Sequence, residues 1–431
     1  MDTGMRLKYH RMKKKMSLED LASGILLPKE LKKIEAGLKE PGLKELEALC
    51  KRLEISLAPK DNPVGKVLVK NFKSSLLHPQ NKAKIMEHYA DIHDHPLLHS
   101  NEDIELEYNI QQVRFFIITG DLDSAEDKMK DVERFKEFMS QEQFYLFHKY
   151  MGNYQYIIGD YEQAIKTYLL SERIAPTSIS NSELGDLFYS IGLSATQLWE
   201  IHLGIKYSEL ALKIYQQEFV PKRIVECHLL IANNARRLSN FKTAKEHYKN
   251  AFNIGIKIDN DQLKFTTEYN YGYFYFQFQK YEEAIKHLEN ALKYIPKEFT
   301  SDILLNYCTL IKCYLEVNDL NAVEKRLHDG HKIIKEKNLS LDTPSNNQFK
   351  EIYIEFVCLN YFINGEIESF ETYFLKNLLP VLKSHNKYFE IGFYYNHLGN
   401  TYLELENYKK ASFMLKNSSN AYKHLLHIAE E

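Results

Sequence analysis

Gly272-Tyr273-Phe274-Tyr275, followed by Tyr281-Glu282-Glu283-Ala284 and then by Ala291 and Pro296, decides how this chain folds. A small residue among aromatics, a large side chain nine positions on and a small one twelve on describe two helices that approach closely. The proline then ends the second helix, because it cannot extend the hydrogen-bond ladder. The same order runs from Gly152 through Gly159-Asp160-Tyr161 and Ala164 to Pro176, and large and small partners recur as Phe241 with Ala244 and Tyr408 with Ala411. Aligned on the small position, Val113, Gly152, Gly192, Ala232, Gly272, Ile311, Cys358 and Gly399 share one register, with successive separations of 39, 40, 40, 40, 39, 47 and 41. The long period contains 335–348, where Asn338, Pro344 and Asn346-Asn347 predict an inserted loop.

This pattern resembles the tetratricopeptide repeat, whose unit is about thirty-four residues. Roughly six extra residues per period lengthen the helices by about a turn and a half in total, as in bacterial peptide-sensing proteins of this class. The resemblance implies that the small residue lets the two helices meet and that the aromatic fills the groove between them. The predicted fold is all-α, with eight repeats in a right-handed superhelix over 106–431. A length of 431 residues exceeds one ordinary core, but a solenoid has no such limit because each repeat touches only its neighbours. Hairpin packing accounts for most of the 30 Tyr and 24 Phe.

The apolar run Phe115 to Ile118 is too short to cross a bilayer, and the first residues lack the apolar stretch of a signal peptide. Five cysteines without paired CxxC spacing point to a reducing compartment. The expectation is a cytoplasmic protein without membrane contact. Cys227, Cys308, Cys313 and Cys358 have apolar neighbours and are expected as buried thiols. No glycine-rich phosphate loop, HExxH or nucleophile elbow is present, so neither an enzyme nor a cofactor is expected.

Residues 1–60 break the rhythm and carry 14 Lys plus Arg against 9 Asp plus Glu, in a chain whose formal charge is −3. A basic head on an acidic body suggests a polyanion contact. A basic helix from Arg6 to Lys15 precedes Ser17-Leu18-Glu19-Asp20, where Ser17 can cap a helix and Asp20 can answer it. Leu21-Ala22-Ser23-Gly24-Ile25 gives a short helix and a turn. Pro28 suits the first turn of another, with Leu31 and Ile34 on its inner face and Gly37 as terminator. Leu43, Leu46, Leu49 and Leu53 make the apolar stripe of a fourth.

This order resembles a helix-turn-helix domain of the Cro and phage-repressor type. The Leu-Ala-Ser-Gly-Ile stretch and the ending Ile34-Glu35-Ala36-Gly37 resemble the version in peptide-pheromone regulators of the PlcR kind. With the repeats, the whole chain resembles the Rap, NprR, PlcR and PrgX group. The resemblance implies that the helix from Pro28 lies in the major groove of double-stranded DNA, with Ser17, Lys29, Glu30, Lys32 and Lys33 as contacts. The family commonly has small polar residues at the start of that helix and an amide after the preceding cap. Leu27, Pro28 and Glu30 stand in the first place here and Leu18 in the second.

Residues 61–105 are expected to link head and repeats through one or two helices. They contain Asp91-Ile92-His93-Asp94-His95-Pro96-Leu97-Leu98-His99, a concentration of possible metal ligands. Pro96 disrupts the spacing such a site would need, so an inter-helix turn is expected and no metal.

In tetratricopeptide folds the first helix of each pair lines the inner wall. The residue after the small position, and those one turn to either side, are Lys149 and Asn153, Tyr189, Asn233 with Arg236 and the adjoining Arg237, Tyr269 with Asn270 and Tyr273, Asn306, and Asn396 with Asn400. A side-chain amide offers a donor and an acceptor, so a ladder of them can satisfy the backbone of an extended peptide. Arg236 or Arg237 could hold a carboxylate. Lys149 and Asn153 also resemble the start of a carboxylate clamp, whose continuation is missing at Ser190, Glu226 and Leu230.

The expected function is a peptide-responsive transcription regulator, working as a homodimer that binds DNA through the head and a short signalling peptide through the repeats. The alternative is a scaffold that sequesters a signalling protein such as a response regulator. Rap-type relatives that do so carry a helical bundle in place of the helix-turn-helix.

Overall fold

A computed structural model describes the chain except for 78–80, 94, 96–97, 99–100, 297–298, 338–346 and 428–431. The described residues form helices and turns with no strand, and they divide into two compact units, Met1–Leu198 and Trp199–Glu431.

The first unit begins with four short helices, α1 (Thr3–Lys13), α2 (Leu18–Ala22), α3 (Pro28–Glu35) and α4 (Leu43–Leu53). Ser17 caps α2 in a reciprocal box with Asp20, as their spacing anticipates. Gly37, at φ +69°, ends α3. Leu7, Leu21, Leu31, Ile34, Leu49 and Leu53 form the core of the head. α1 crosses α3 so closely that a Cβ on Gly4 would lie 1.9 Å from the Ile34 carbonyl oxygen. The expected stripe of α4 is only partly internal, because Leu43 stands at the first helical position and is 69% exposed.

Two helices follow, α5 (Pro63–Leu76) and α6 (Lys82–His93), then the hairpin α7 (Glu102–Thr119) and α8 (Leu122–Glu133). Another hairpin, α9 (Gln141–Ile157) and α10 (Tyr161–Ile174), precedes α11 (Asn181–Gln197). Of the expected metal-rich segment, His93 hydrogen-bonds the Tyr108 hydroxyl at 2.8 Å, while Asp94, Pro96, Leu97 and His99 lie outside the described residues.

The second unit opens with α12 (Ile201–Gln217) and continues with three hairpins, α13 (Pro221–Arg237) with α14 (Phe241–Gly255), α15 (Asp261–Gln277) with α16 (Tyr281–Ala291), and α17 (Thr300–Glu316) with α18 (Leu320–Glu336). The expected loop falls largely on 338–346, outside the described residues. Beyond it come α19 (Asn347–Ile363), α20 (Ile367–Tyr373), a π turn, α21 (Leu379–Ser384), and a final hairpin, α22 (Tyr388–Glu404) with α23 (Tyr408–His427).

All eight small positions are helical and buried, and six of them lie on the first helix of a hairpin. At Gly272 an added Cβ would come 2.8 Å from Leu288 Cγ, and at Gly152 2.6 Å from the Tyr168 ring. Ala164, Ala244, Ala284 and Ala411 are fully buried on the facing helix. Of the large residues three positions earlier, Tyr161 and Tyr281 are half-buried and Tyr281 packs against Phe276 of its partner helix as expected, whereas Phe241 and Tyr408 do not fill the groove. These two open the second helix at the hairpin bend, 49% and 67% exposed, and Phe241 packs edge-on against Phe278 of the following hairpin.

Seven residues after each small position the backbone turns left-handed, at Gly120, Gly159, Trp199, Ser239, Gln279, Asn318, Gly365 and Glu406. That conformation ends the first helix, and glycine adopts it without strain.

Candidate peptide and DNA surfaces

The outer face of α3 carries Lys29, Lys32 and Lys33, all exposed, with Leu31 and Ile34 turned into the core. Its helical period places these lysines together on one side. Glu30 interrupts them: its carboxylate pairs with Lys33 Nζ at 3.1 Å and Lys39 Nζ at 2.8 Å. Hydrogen bonds from Lys39 and Lys33 hold that carboxyl below the usual range. Leu27, 68% exposed, caps the helix without a side-chain bond, and Leu38 beyond its end is 79% exposed. Behind α3, Arg11 holds the buried Glu35 with two bonds of 2.7 and 2.8 Å, and Arg6 pairs with Glu102. Part of the basic balance of the head is therefore spent internally.

In the second unit a cavity of about 490 Å³ opens among α13, α15, α17, α19 and α22. Asn233, Arg236, Arg237, Tyr269, Asn270 and Tyr273 line it, drawn together because α13 and α15 present the same register positions side by side. The Arg236 guanidinium lies 5.1 Å from the centre of the Tyr273 ring and donates to Gln277 Oε1. Arg237 lies 4.2 Å from the centre of the Trp199 ring. Burial, and then the neighbouring Arg236 charge, bring the Arg237 guanidinium down to about 10.

Across the cavity the Tyr273 hydroxyl donates to Glu390 Oε1. Burial, and then that carboxylate, push the phenol well up. Lys312 Nζ lies 2.6 Å from Glu355 Oε1. Burial works against both charges, but each charge stabilises the other, so the lysine is held up and the carboxyl down.

The asparagine amides are partly committed. Asn233 Oδ1 accepts from Tyr248 at 2.5 Å, and Asn270 Nδ2 donates to the Thr266 carbonyl at 2.7 Å. Each bond leaves the other half of the amide for a guest. The remaining residues of the expected set lie outside this cavity. Asn306 is fully buried and donates to the Leu288 carbonyl. Asn396 is half-buried and Asn400 exposed on α22.

In the first unit Asn153 donates to the Tyr168 hydroxyl at 2.8 Å, and Tyr189 is half-buried on α11. Lys149 is 1% exposed, with Glu183 at 2.5 Å and Asp186 at 2.9 Å. Burial opposes its charge, but Asp186 and Glu183 raise it well above the usual lysine value. This cation is consumed by its own chain, as a ligand clamp would not be.

Trp199, Lys312, Glu355 and Glu390 also line the cavity, although the sequence reading did not select them. Two carried a legible signal. Lys312 follows Ile311 as Asn233 follows Ala232, and Glu355 precedes Cys358 by three as Tyr269 precedes Gly272. The five cysteines are buried and unpaired by disulfides. Among the described residues no cluster of three or more His, Cys, Asp or Glu could hold a metal, and no helix is long and apolar enough to cross a membrane.

A helix-turn-helix family model matches residues 7–59, and a tetratricopeptide-repeat model matches 269–298 and 394–421. The chain is 26% identical over 414 residues to a transcriptional activator, NprA, of Geobacillus stearothermophilus, covering 95% of this chain and 100% of that protein. It is 25% identical over 221 residues to response regulator aspartate phosphatase E of Bacillus subtilis, covering 49% of this chain and 59% of that protein. The apo form of the quorum sensor NprR from B. thuringiensis superimposes with a TM-score of 0.65 at 18% identity, covering 83% and 98% of the two chains. NprR in complex with its cognate peptide NprX gives 0.58 at 17% identity, covering 86% and 100%. The chain thus resembles the Rap and NprR group in its pairing of a helix-turn-helix with tetratricopeptide repeats.

Proposed function

We propose that the chain is a cytoplasmic, peptide-responsive transcription regulator, with residues 1–60 binding double-stranded DNA, 61–105 linking, and the repeats of 106–431 binding a short signalling peptide and a second copy of the chain. The observation that carries this reading is the cavity between α13 and α22. It pairs half-free amides at Asn233 and Asn270 with a crowded pair of arginines and aromatic walls, a lining suited to a polar backbone with apolar side chains. The NprA and NprR likenesses support it. Peptide binding would shift the population of dimers whose two heads fit two half-sites.

A gel-shift titration against duplex pools tests the DNA half. Retention of a palindromic site that weakens as salt rises is expected, and Lys32→Glu with Lys33→Glu abolishes it without loss of helicity. For the peptide half, Asn233→Ala with Arg236→Ala loses affinity in calorimetry while the dimer persists. Unchanged retention, or unchanged affinity, would remove the corresponding half.

The second reading is a scaffold that sequesters a response regulator. Glu30 neutralising two lysines, beside exposed Leu27 and Leu38, favours a protein contact by the head, and the aspartate phosphatase likeness points the same way. No retention of any duplex at low salt would support it.

A further inference from the structure

Glu390 is 2% exposed and lines the cavity, yet only one of its carboxylate oxygens is used. Oε1 accepts from Tyr273, while Oε2 is buried with no hydrogen-bond partner. A buried anionic oxygen without a donor is costly, and the cost is removed when a ligand supplies one. The cavity's ammonium nearest in chemistry, Lys312, is already bonded to Glu355. Over the Tyr273 ring, Arg236 has a buried Nε without a partner, and Arg237 stands within reach of its charge. Arg236 Nε thus wants an acceptor as Glu390 Oε2 wants a donor.

The turn at Trp199 adds a second observation. In three hairpins the left-handed residue is glycine, but here a tryptophan takes φ +62° and places its ring under the Arg237 guanidinium. A bulky side chain in that conformation is strained, and such strain gathers at ligand sites.

We infer that the cavity is a two-pole site for a short peptide segment carrying an amine and a carboxylate on neighbouring residues, the amine donating to Glu390 Oε2 and the carboxylate received by Arg236 and Arg237. One pole lies over the Tyr273 ring and the other at its hydroxyl, a separation on the order of two extended residues. The aromatic walls take the side chains between them. This rests on the peptide reading above and adds the ligand's polarity.

The test uses the full chain and the dipeptide Phe-Leu in four forms: free, N-acetylated, C-amidated, and blocked at both ends. The chain has one tryptophan, so Trp199 emission reports from the cavity itself. Acetylation and amidation should each weaken binding roughly tenfold or more, as expected for losing a charge-assisted hydrogen bond. Glu390→Gln, which keeps the bond from Tyr273, should erase the acetylation penalty and keep the amidation penalty, and Arg236→Met should do the reverse. Equal binding of all four forms by the unaltered chain would overturn the two-pole assignment and leave the peptide reading standing. An acetylation penalty that persists in Glu390→Gln would overturn the role of that residue. No emission change with any form up to about 1 mM would overturn both.

Discussion

Arg6 of the head and Glu102 at the start of the first hairpin form a buried ion pair, Nε to Oε1 at 2.6 Å, with side chains 7% and 5% exposed. His10 Nε2 reaches the same oxygen at 2.7 Å, and Lys13 pairs with Glu105 one turn on. The helix that braces α3 is therefore held to the hairpin by charge. Removing one partner of a buried pair strands the other, at a cost of about 3–5 kcal/mol. Arg6→Ala should lower the thermal midpoint accordingly, and an unchanged midpoint would mean the pair is solvated in solution.

The same pair sets a pH dependence. Burial pushes the Glu102 carboxyl up, but hydrogen bonds from His10, its own backbone and Arg6 bring it down to about 2, from a usual 4.5. A depressed value means the carboxylate stabilises the folded chain above about pH 4.5 and loses that contribution as pH falls toward 2. Denaturant titrations at pH 5 and pH 3 should show the loss, and Glu102→Gln should reduce the difference between them. A Gln variant with the full acid sensitivity would assign it elsewhere.

On α3, the helix proposed to enter the major groove, Glu30 pairs with two exposed lysines, Lys33 and Lys39. Glu30→Gln should tighten binding to duplexes irrespective of sequence. Each freed phosphate contact should steepen the slope of log affinity against log salt by about 0.9. If the slope is unchanged, Lys33 and Lys39 do not reach DNA.

The repeat was legible because close helix approach demands a small or compact buried residue at a fixed interval, as Gly152 and Gly272 show by the clash a Cβ would make. The hairpin turns were legible only where they use glycine. Asn318 is of a type that tolerates the left-handed backbone, but Trp199, Ser239, Gln279 and Glu406 adopt it too, and nothing in those residue types announces it. Within the cavity, register rules reached Asn233, Tyr269 and Tyr273, and would equally have reached Lys312 and Glu355. Glu390 stands nine residues before Gly399, on the first turn of α22, and meets Tyr273 across 117 positions of sequence. No local pattern marks such a pairing.

Gly272 tests the register directly. A side chain there must displace Leu288, whose Cγ would lie 2.8 Å from the new Cβ, and the Ala284 carbonyl oxygen at 3.2 Å. Gly272→Leu should destabilise the second unit by about 1–3 kcal/mol or more through overpacking, read as a lower thermal midpoint. A neutral result would show that α15 and α16 do not meet there.

Trp199 and Gln279 occupy equivalent turns, at φ +62° and +55°, but only Trp199 lines the cavity. Glycine relieves a left-handed residue of roughly 1–2 kcal/mol of strain, less the entropy it adds to the unfolded chain. Gln279→Gly, at an exposed turn, should therefore be slightly more stable than the unaltered chain. Trp199→Gly relieves the same strain but forfeits the cation–π contact with Arg237, worth about 0.5–2 kcal/mol. Its stability should change little, while the arginine pair loses the platform that orients it toward a carboxylate. Calorimetry with the free dipeptide should then show weaker binding for Trp199→Gly and none of that loss for Gln279→Gly. Were Trp199→Gly to gain as much stability as Gln279→Gly and bind undiminished, the tryptophan would be an incidental occupant of its turn.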